Sequence, residues 1–277
     1  MFKKISNRMW LWLTTAIIGF TILFPLYWIF LSSITPEDML FTTPINYIPL
    51  EPTLENYINL FSEMNIGMLI KDTGIIVISS VILSILIALM AGYAFARFDS
   101  IIMKIAIVFL VFTSMLPMVA AVIPMFQFFK LLKLVDTYFG VIILYTSNMI
   151  PFTTIVFVTF IRQIPRSLEE AAEVDGAGVF RRLFSILFPV LKPAIATMAI
   201  INFILGINEF MIPLIFTVEK IRPLSIGITL ITRVNQYTIP WERISALATI
   251  MLVPIIIFVL VFEKNIMEGL MAGSLKQ

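Results

Sequence analysis

The chain has 277 residues, 60% of them hydrophobic and 13% charged, with a formal net charge of +2. So little charge does not cover the surface of a soluble domain of this length, and with no basic patch interleaved with aromatics nucleic acid is not expected as a partner. There are no cysteines and no histidines, which excludes disulfides, thiol catalysis, Cys/His zinc sites and any Ser-His-Asp triad. No clustered Asp/Glu pattern supports a metal, and neither a G-x-x-x-x-G-K-[ST] loop nor a G-x-G-x-x-G turn is present, so no cofactor or nucleotide is expected on this chain.

The expected fold class is an all-α integral membrane protein. Apolar residues fall in blocks that match the ~20 residues needed to cross ~30 Å of hydrocarbon. Six blocks read as spans, at residues 9–31, 74–95, 101–124, 139–160, 194–217 and 244–262, within one membrane domain over residues 1–277. Lys3, Lys4 and Arg8 precede the first block as they would a signal peptide. The block is too long for one and runs on through Phe24-Pro25-Leu26-Tyr27-Trp28 without a small-residue cleavage site, so it is expected to remain as a span. The segment after it holds Pro36, Pro44, Pro49 and Pro52, and Leu54-Glu55-Asn56-Tyr57 predicts the start of a short surface helix. Pro117, Pro124 and Pro151 are expected to kink their spans, and Trp10, Trp12 and Trp241 to anchor at the membrane interfaces.

Positive charge sets the expected orientation. With both termini in the cytoplasm, inner segments hold 12 Lys/Arg, Arg97, Lys104, Arg162, Arg166 and Lys276 among them, against 7 outside, including Lys130, Lys133 and Arg233. Glu209 is the only acidic residue well inside a span, where a charge costs ~2.5–3.5 kcal/mol on insertion scales. It is expected to face protein or a water-filled path. Two readings stay open: with Asn208 it borders a translocation path, or it pins helix packing. Asn202 and Asn148, with Tyr145, Thr146 and Ser147, are open to the same pair of readings.

The inner segment 162–193 carries the most specific pattern. Pro165 bars extension of a helix backwards, and Ser167 with Glu170 three residues on has the spacing of a capping box. Gly176 stands where a helix ends in a left-handed residue. The result is a helix of about two turns with Leu168, Ala171 and Ala172 on one side, a face small enough for close approach to a partner.

Glu170-Ala171-Ala172, then Gly176, then Ile186-Leu187-Phe188-Pro189 resembles the EAA loop of ABC-importer permeases, with Phe188 in place of the usual leucine. Asn208-Glu209-Phe210 with Pro213, Leu224-Ser225-Ile226-Gly227, Ala246, Pro254, the tail from Gly269 to Lys276, Asn56-Tyr57 and Ala94-Phe95-Ala96-Arg97-Phe98 extend the resemblance over nearly the whole chain. Together they look like the six-span partner of a maltose-type sugar permease pair, with an ABC type I importer permease fold. The resemblance implies a bacterial or archaeal cell membrane, a second homologous permease, two ATPase subunits that carry the ATP and Mg²⁺, an extracytoplasmic solute-binding protein and a sugar or oligosaccharide substrate. It assigns ATPase coupling to Glu170, Ala171, Ala172, Asp175, Gly176, Ile186 and Pro189, with Glu170 capping the helix. The chain is then a transport subunit and no enzyme in itself. Related permeases for polyamine, phosphate or glycerol phosphate, an ion-coupled secondary carrier and a membrane enzyme are the alternatives. Against a carrier, the chain shows no second set of spans and has a docking motif that a carrier would not need; against an enzyme, it has no His, no Cys and no paired carboxylates within a span.

Overall fold

A computed structural model describes residues 2–231 and 239–274. Arg233, Leu275 and Lys276, which enter the charge count or the tail above, lie outside the described residues. Every regular element among the described residues is a helix. Four are long and apolar enough to cross a bilayer, and the number rises to six if each of two bent pairs counts as one span.

The chain groups into two compact units, Met1–Gly67 with Gly227–Pro254, and Met68–Ile226 with Ile255–Gln277. The first unit contains α1 (Phe2–Ser33), a 3₁₀ turn at Glu37–Met39 and α2 (Glu55–Glu63). Helix α2 starts where Leu54-Glu55 predicts, but it is more than a surface helix. Its Asn56 is buried and donates to the carbonyls of Ser33 and Thr35 at 3.0 and 2.9 Å, closing the orphan carbonyls at the end of α1. Leu60 is fully buried in the same place. Glu63 accepts both bonds of Arg243 Nη1 at 2.8 Å. Trp10, Trp12 and Trp241 are all exposed.

The second unit contains most of α3 (Ile66–Arg97), then α4 (Ile101–Met115), α5 (Met118–Leu131) and α6 (Tyr138–Gln163). The apolar block at 101–124 does not form one straight helix. It breaks at Leu116, whose backbone is extended, because the residue before a proline is driven out of the helical region. Pro124 and Pro151 lie inside α5 and α6. After α6 come α7 (Ser167–Val174), α8 (Val179–Arg181), a π-helical stretch Arg182–Leu187, α9 (Phe188–Val190), α10 (Lys192–Asn208) and α11 (Met211–Phe216). The core lies where α3, α6 and α10 meet, around Ile76, Val77, Leu89, Tyr145, Phe157, Leu187 and Met198. A 3₁₀ turn at Leu224–Ile226, α12 (Gly227–Leu230) and α13 (Trp241–Ser274) complete the chain.

The block at 194–217 is also broken. Helix α10 ends at Asn208, Glu209 is extended (φ −67°, ψ 119°), and α11 begins at Met211. At the Phe216 end of α11, two carboxylates hold the chain that follows. Asp72, fully buried, accepts from the Tyr138 hydroxyl at 2.5 Å and the Arg222 N–H at 2.8 Å. Asp136, at φ 59°, accepts the N–H groups of Val218, Glu219, Lys220 and Ile221 at 3.0–3.3 Å. Burial pushes the Asp136 carboxyl up, but these four donors outweigh it and hold it below the ordinary carboxylate value. A depressed value means the clip is present above the ordinary carboxylate range and is lost as pH falls through the lowered one. Amides 218–221 should therefore be protected from hydrogen exchange at neutral pH and lose that protection on acidification. Asp136→Asn should speed their exchange about tenfold at neutral pH, the scale of one charge-assisted bond, and remove the pH dependence. Equal protection in both proteins would disprove the clip.

Candidate functional site

The segment between α6 and α10 folds into a compact support for α7. Its helix starts one residue earlier than the capping-box reading requires. Arg166 already has helical backbone angles (φ −62°, ψ −30°), and no side chain caps the first turn. Ser167 is therefore inside the helix, and the capping box, with Glu170 as its cap, does not form. The first turn is made by backbone: Leu168 N–H donates to the Pro165 carbonyl, and Glu169 and Glu170 N–H to that of Arg166. Proline in a first turn has no N–H to lose, so Pro165 can begin this arc.

The other end follows the sequence closely. Asp175 is the C-cap, and Gly176 takes φ +77°. Gly176 N–H donates to the Glu173 carbonyl and Ala177 N–H to the Ala172 carbonyl, both at 2.9 Å. This pair of bonds is a Schellman motif, and Ala177 is buried behind it. A Cβ on Gly176 would touch nothing within 4 Å, so glycine is required there by its backbone alone.

The carboxylate that ties α7 to the spans is Glu169, not Glu170. Glu169 is buried, and its Oε1 accepts from Arg97 Nε at 2.6 Å. Its Oε2 accepts from the Tyr93 hydroxyl at 2.9 Å, while Arg97 Nη2 donates to the Ile164 carbonyl at 3.0 Å. The last turn of α3 thereby grips the first turn of α7. Glu173 pairs with Arg182 at 2.5 Å, tying the far end of α7 to the π-helical stretch. Glu170, Ala171, Val174 and Asp175 remain exposed, with Ala172 half-buried beside them. Leu168 is exposed as well. Ile186 lies half-buried in the π-helical stretch and Pro189 is exposed at the start of α9.

The second cluster surrounds the break at Glu209. One carboxylate oxygen of Glu209 accepts the Ile212 N–H at 3.1 Å, capping α11 where an orphan donor would otherwise stand among apolar groups. The buried Tyr145 directs its hydroxyl to the Glu209 carbonyl at 3.3 Å. Tyr145, Asn148, Met149, Leu205, Gly206 and Glu209 line a cavity of about 210 Å³. Gly206 permits that floor, since a Cβ there would lie 3.0 Å from Val77 and 3.2 Å from Met149. Asn208 is exposed and donates to the Ile204 carbonyl at 2.8 Å, outside the lining. Asn202 stands apart. It is 1% exposed, and its amide donates to Ser84 at 3.2 Å and Thr153 at 3.0 Å, joining α3, α6 and α10 in a closed polar network. Asn148 and Glu209 are thus brought together, and Asn202 and Asn208 are not.

Sequence reasoning did not single out Tyr93, and it used Arg97 only in the charge count and as part of a motif. Nothing in local spacing links Arg97 to a glutamate 72 residues away. The one available signal was two adjacent glutamates in a two-turn helix, which face different sides.

The family model described as "Binding-protein-dependent transport system inner membrane component" matches residues 66–269, a stretch that contains both clusters. The chain belongs to this family. The permease protein of the sulfoquinovosyl glycerol transport system of Agrobacterium fabrum is 32% identical over 255 residues, 92% of this chain and 89% of the relative. The trehalose/maltose permease protein of Thermococcus litoralis is 29% identical, covering 100% of this chain and 99% of the relative. The trehalose permease protein of Mycobacterium tuberculosis is 31% identical over 96% and 97%. A crystal structure of a bacterial ABC transporter involved in import of the acidic polysaccharide alginate shares the fold, with a TM-score of 0.79 at 22% identity over 94% of this chain and 97% of that one. As an inner-membrane component of a binding-protein-dependent transport system, this permease does its work in the bilayer as a transport subunit.

Proposed function

We propose that this permease forms half of the translocation path of an ATP-driven carbohydrate importer and couples to an ATPase through α7. One observation carries the coupling assignment: α7 is fixed at both ends, by Glu169–Arg97 and by the Gly176 turn, while its Glu170–Ala171–Val174 face is left uncovered. A helix held this firmly passes a push to α3 instead of yielding to it. Small side chains on its open face let a partner groove come close.

In this reading the chain crosses the membrane six times as one permease domain, with both termini and α7 in the cytoplasm. A second homologous permease completes the path, two ATPase subunits supply ATP and Mg²⁺ chemistry, and an extracytoplasmic binding protein delivers the solute. The substrate class is supported by the sugars in the relatives' names. The cavity bordered by Tyr145, Asn148 and Glu209 is the chain's polar contribution to the path, with two hydrogen-bonding side chains beside an acid.

The test is Ala171→Trp. Ala171 is exposed, so a large ring there disturbs no packing of this chain. In proteoliposomes holding both permeases, the ATPase and the binding protein, this variant should insert at wild-type level. It should lose at least tenfold in solute uptake and in binding-protein-stimulated ATP hydrolysis, and retain less ATPase on purification. Wild-type uptake would remove α7 as the coupling element.

A further inference from the structure

A recess of about 240 Å³ lies between the end of α3, the start of α4 and the end of α6, and apart from Arg97 no side chain that lines it is used by the proposed coupling. Four cations line it, Arg97, Lys104, Arg162 and Arg166, against one acid, Asp99. Two of the four are already engaged: Arg97 with Glu169 at 2.6 Å, and Lys104 with Asp99 at 2.8 Å. The hydrogen bond from Lys104, and more weakly the charge of Arg166, hold the Asp99 carboxyl below its ordinary value. The acid is thus fully ionised at neutral pH, and the recess is still net positive.

Arg162 and Arg166 form no ion pair among the described residues, although the charge of Arg166 reaches Asp99. Arg162 makes one long bond, at 3.4 Å, to the Phe95 carbonyl, and both side chains are exposed. Two unpaired guanidinium groups in a walled recess match the oxygens of a phosphate.

The apolar side of the recess says what carries that phosphate. Met103 and Ile107 of α4 form part of its wall. Lys104 stands on the rim of the recess, and from it Val108, Val111 and Met115 run up the same side of α4 as an uncovered stripe, 68, 40 and 76% exposed, and no residue of this helix is buried. Its 15 residues rise about 22 Å, more than the ~15 Å depth of one leaflet. A soluble anion has no use for such a stripe, and an acidic protein segment would not need it to begin inside the basic recess. We propose that the recess binds the phosphate headgroup of an anionic phospholipid whose acyl chains lie along α4. The lipid comes from the cytoplasmic leaflet, which rests on the orientation proposed above. Basic recesses among spans on that side are suited to such headgroups.

The experiment uses the assembled importer in nanodiscs of phosphatidylcholine with and without phosphatidylglycerol, followed by native mass spectrometry. The wild type should retain phosphatidylglycerol selectively. The double variant R162Q/R166Q should retain roughly tenfold less or lower, the scale of removing two cations at the surface. Lys130→Gln, at the opposite end of the spans, should behave as wild type. Equal retention by R162Q/R166Q would overturn the site. Displacement of the lipid by millimolar inorganic phosphate would assign the recess to a free anion. Capture of an ATPase subunit, instead of lipid, by a photoreactive side chain placed at position 162 would assign it to protein docking. Either outcome would overturn the lipid assignment. Binding-protein-stimulated ATP hydrolysis in the same nanodiscs separates the two ideas. If it is present without selective retention, the lipid site alone fails; if it is absent from the complete wild-type complex, the transport reading fails.

Discussion

Glu169→Ala is expected to release α7 from α3 and to abolish uptake, although Glu169 lies outside the face proposed to meet the ATPase. The substitution leaves the Arg97 guanidinium buried, with the Ile164 carbonyl as its remaining acceptor, and the Tyr93 hydroxyl without its carboxylate. Removing one partner of a buried ion pair costs ~3–5 kcal/mol, because the other charge stays desolvated. Arg97→Ala should cost a similar amount by stranding Glu169. The double variant R97M/E169L removes both charges and should recover most of the thermal stability, since apolar groups replace the pair without an orphan. Its recovery in stability need not restore uptake, because two apolar side chains hold α7 with less directional force than a charged pair with three hydrogen bonds. The measurements are thermal unfolding of the purified permease and limited proteolysis across 162–193, with uptake in proteoliposomes. Additive losses in the double variant would show that Arg97 and Glu169 do not act as a pair.

Gly176→Val is expected to insert normally and to lose transport, by a different route. No atom lies within 4 Å of a Cβ at position 176, so any loss comes from the backbone at φ +77°. An L-residue in that region costs ~1–2 kcal/mol, and a β-branched one more. The cheapest relief is to abandon the left-handed turn, which breaks the Gly176–Glu173 and Ala177–Ala172 bonds and pulls Ala177 from its buried place. Uptake should therefore fall in the order Gly, Asn, Ala, Val at this position, with asparagine retaining the most because it tolerates the left-handed region. A bulk effect would instead rank alanine above asparagine, and that order would refute the backbone explanation.

These two positions also mark how far the sequence could be read. Gly176 was legible: a glycine after a short run of helix formers, on the way back to an apolar block, has a local reason to turn left-handed, and the structure turns there. Glu169 was not, because its importance lies in Arg97 and Tyr93, some seventy residues earlier in the chain. The Ser167–Glu170 spacing pointed to a capping box, but helical backbone already at Arg166 draws Ser167 into the first turn, where it has no free donor to cap. Glu209 was half legible. A carboxylate inside an apolar block demands a partner, and the structure supplies one as the Ile212 N–H, which a continuous helix would not have offered. Asn202 looked the same as Asn148 in sequence; the meeting of Ser84 and Thr153 beside it closes it into packing, while Asn148 opens on the cavity.

By itself the sequence determined the solvent of this protein, the helical class, the approximate place of each apolar block and the segment that stands out from them. Those follow from hydropathy and from local backbone chemistry, which act over a few residues and so are written in order along the chain. Tertiary structure alone decided which glutamate of the adjacent pair is buried, where apolar blocks break, which asparagine is satisfied, and that unpaired arginines share a recess with the start of an uncovered helix. Each of these depends on desolvation and on partners brought together from distant parts of the chain, and neither is a property of a residue's neighbours in sequence.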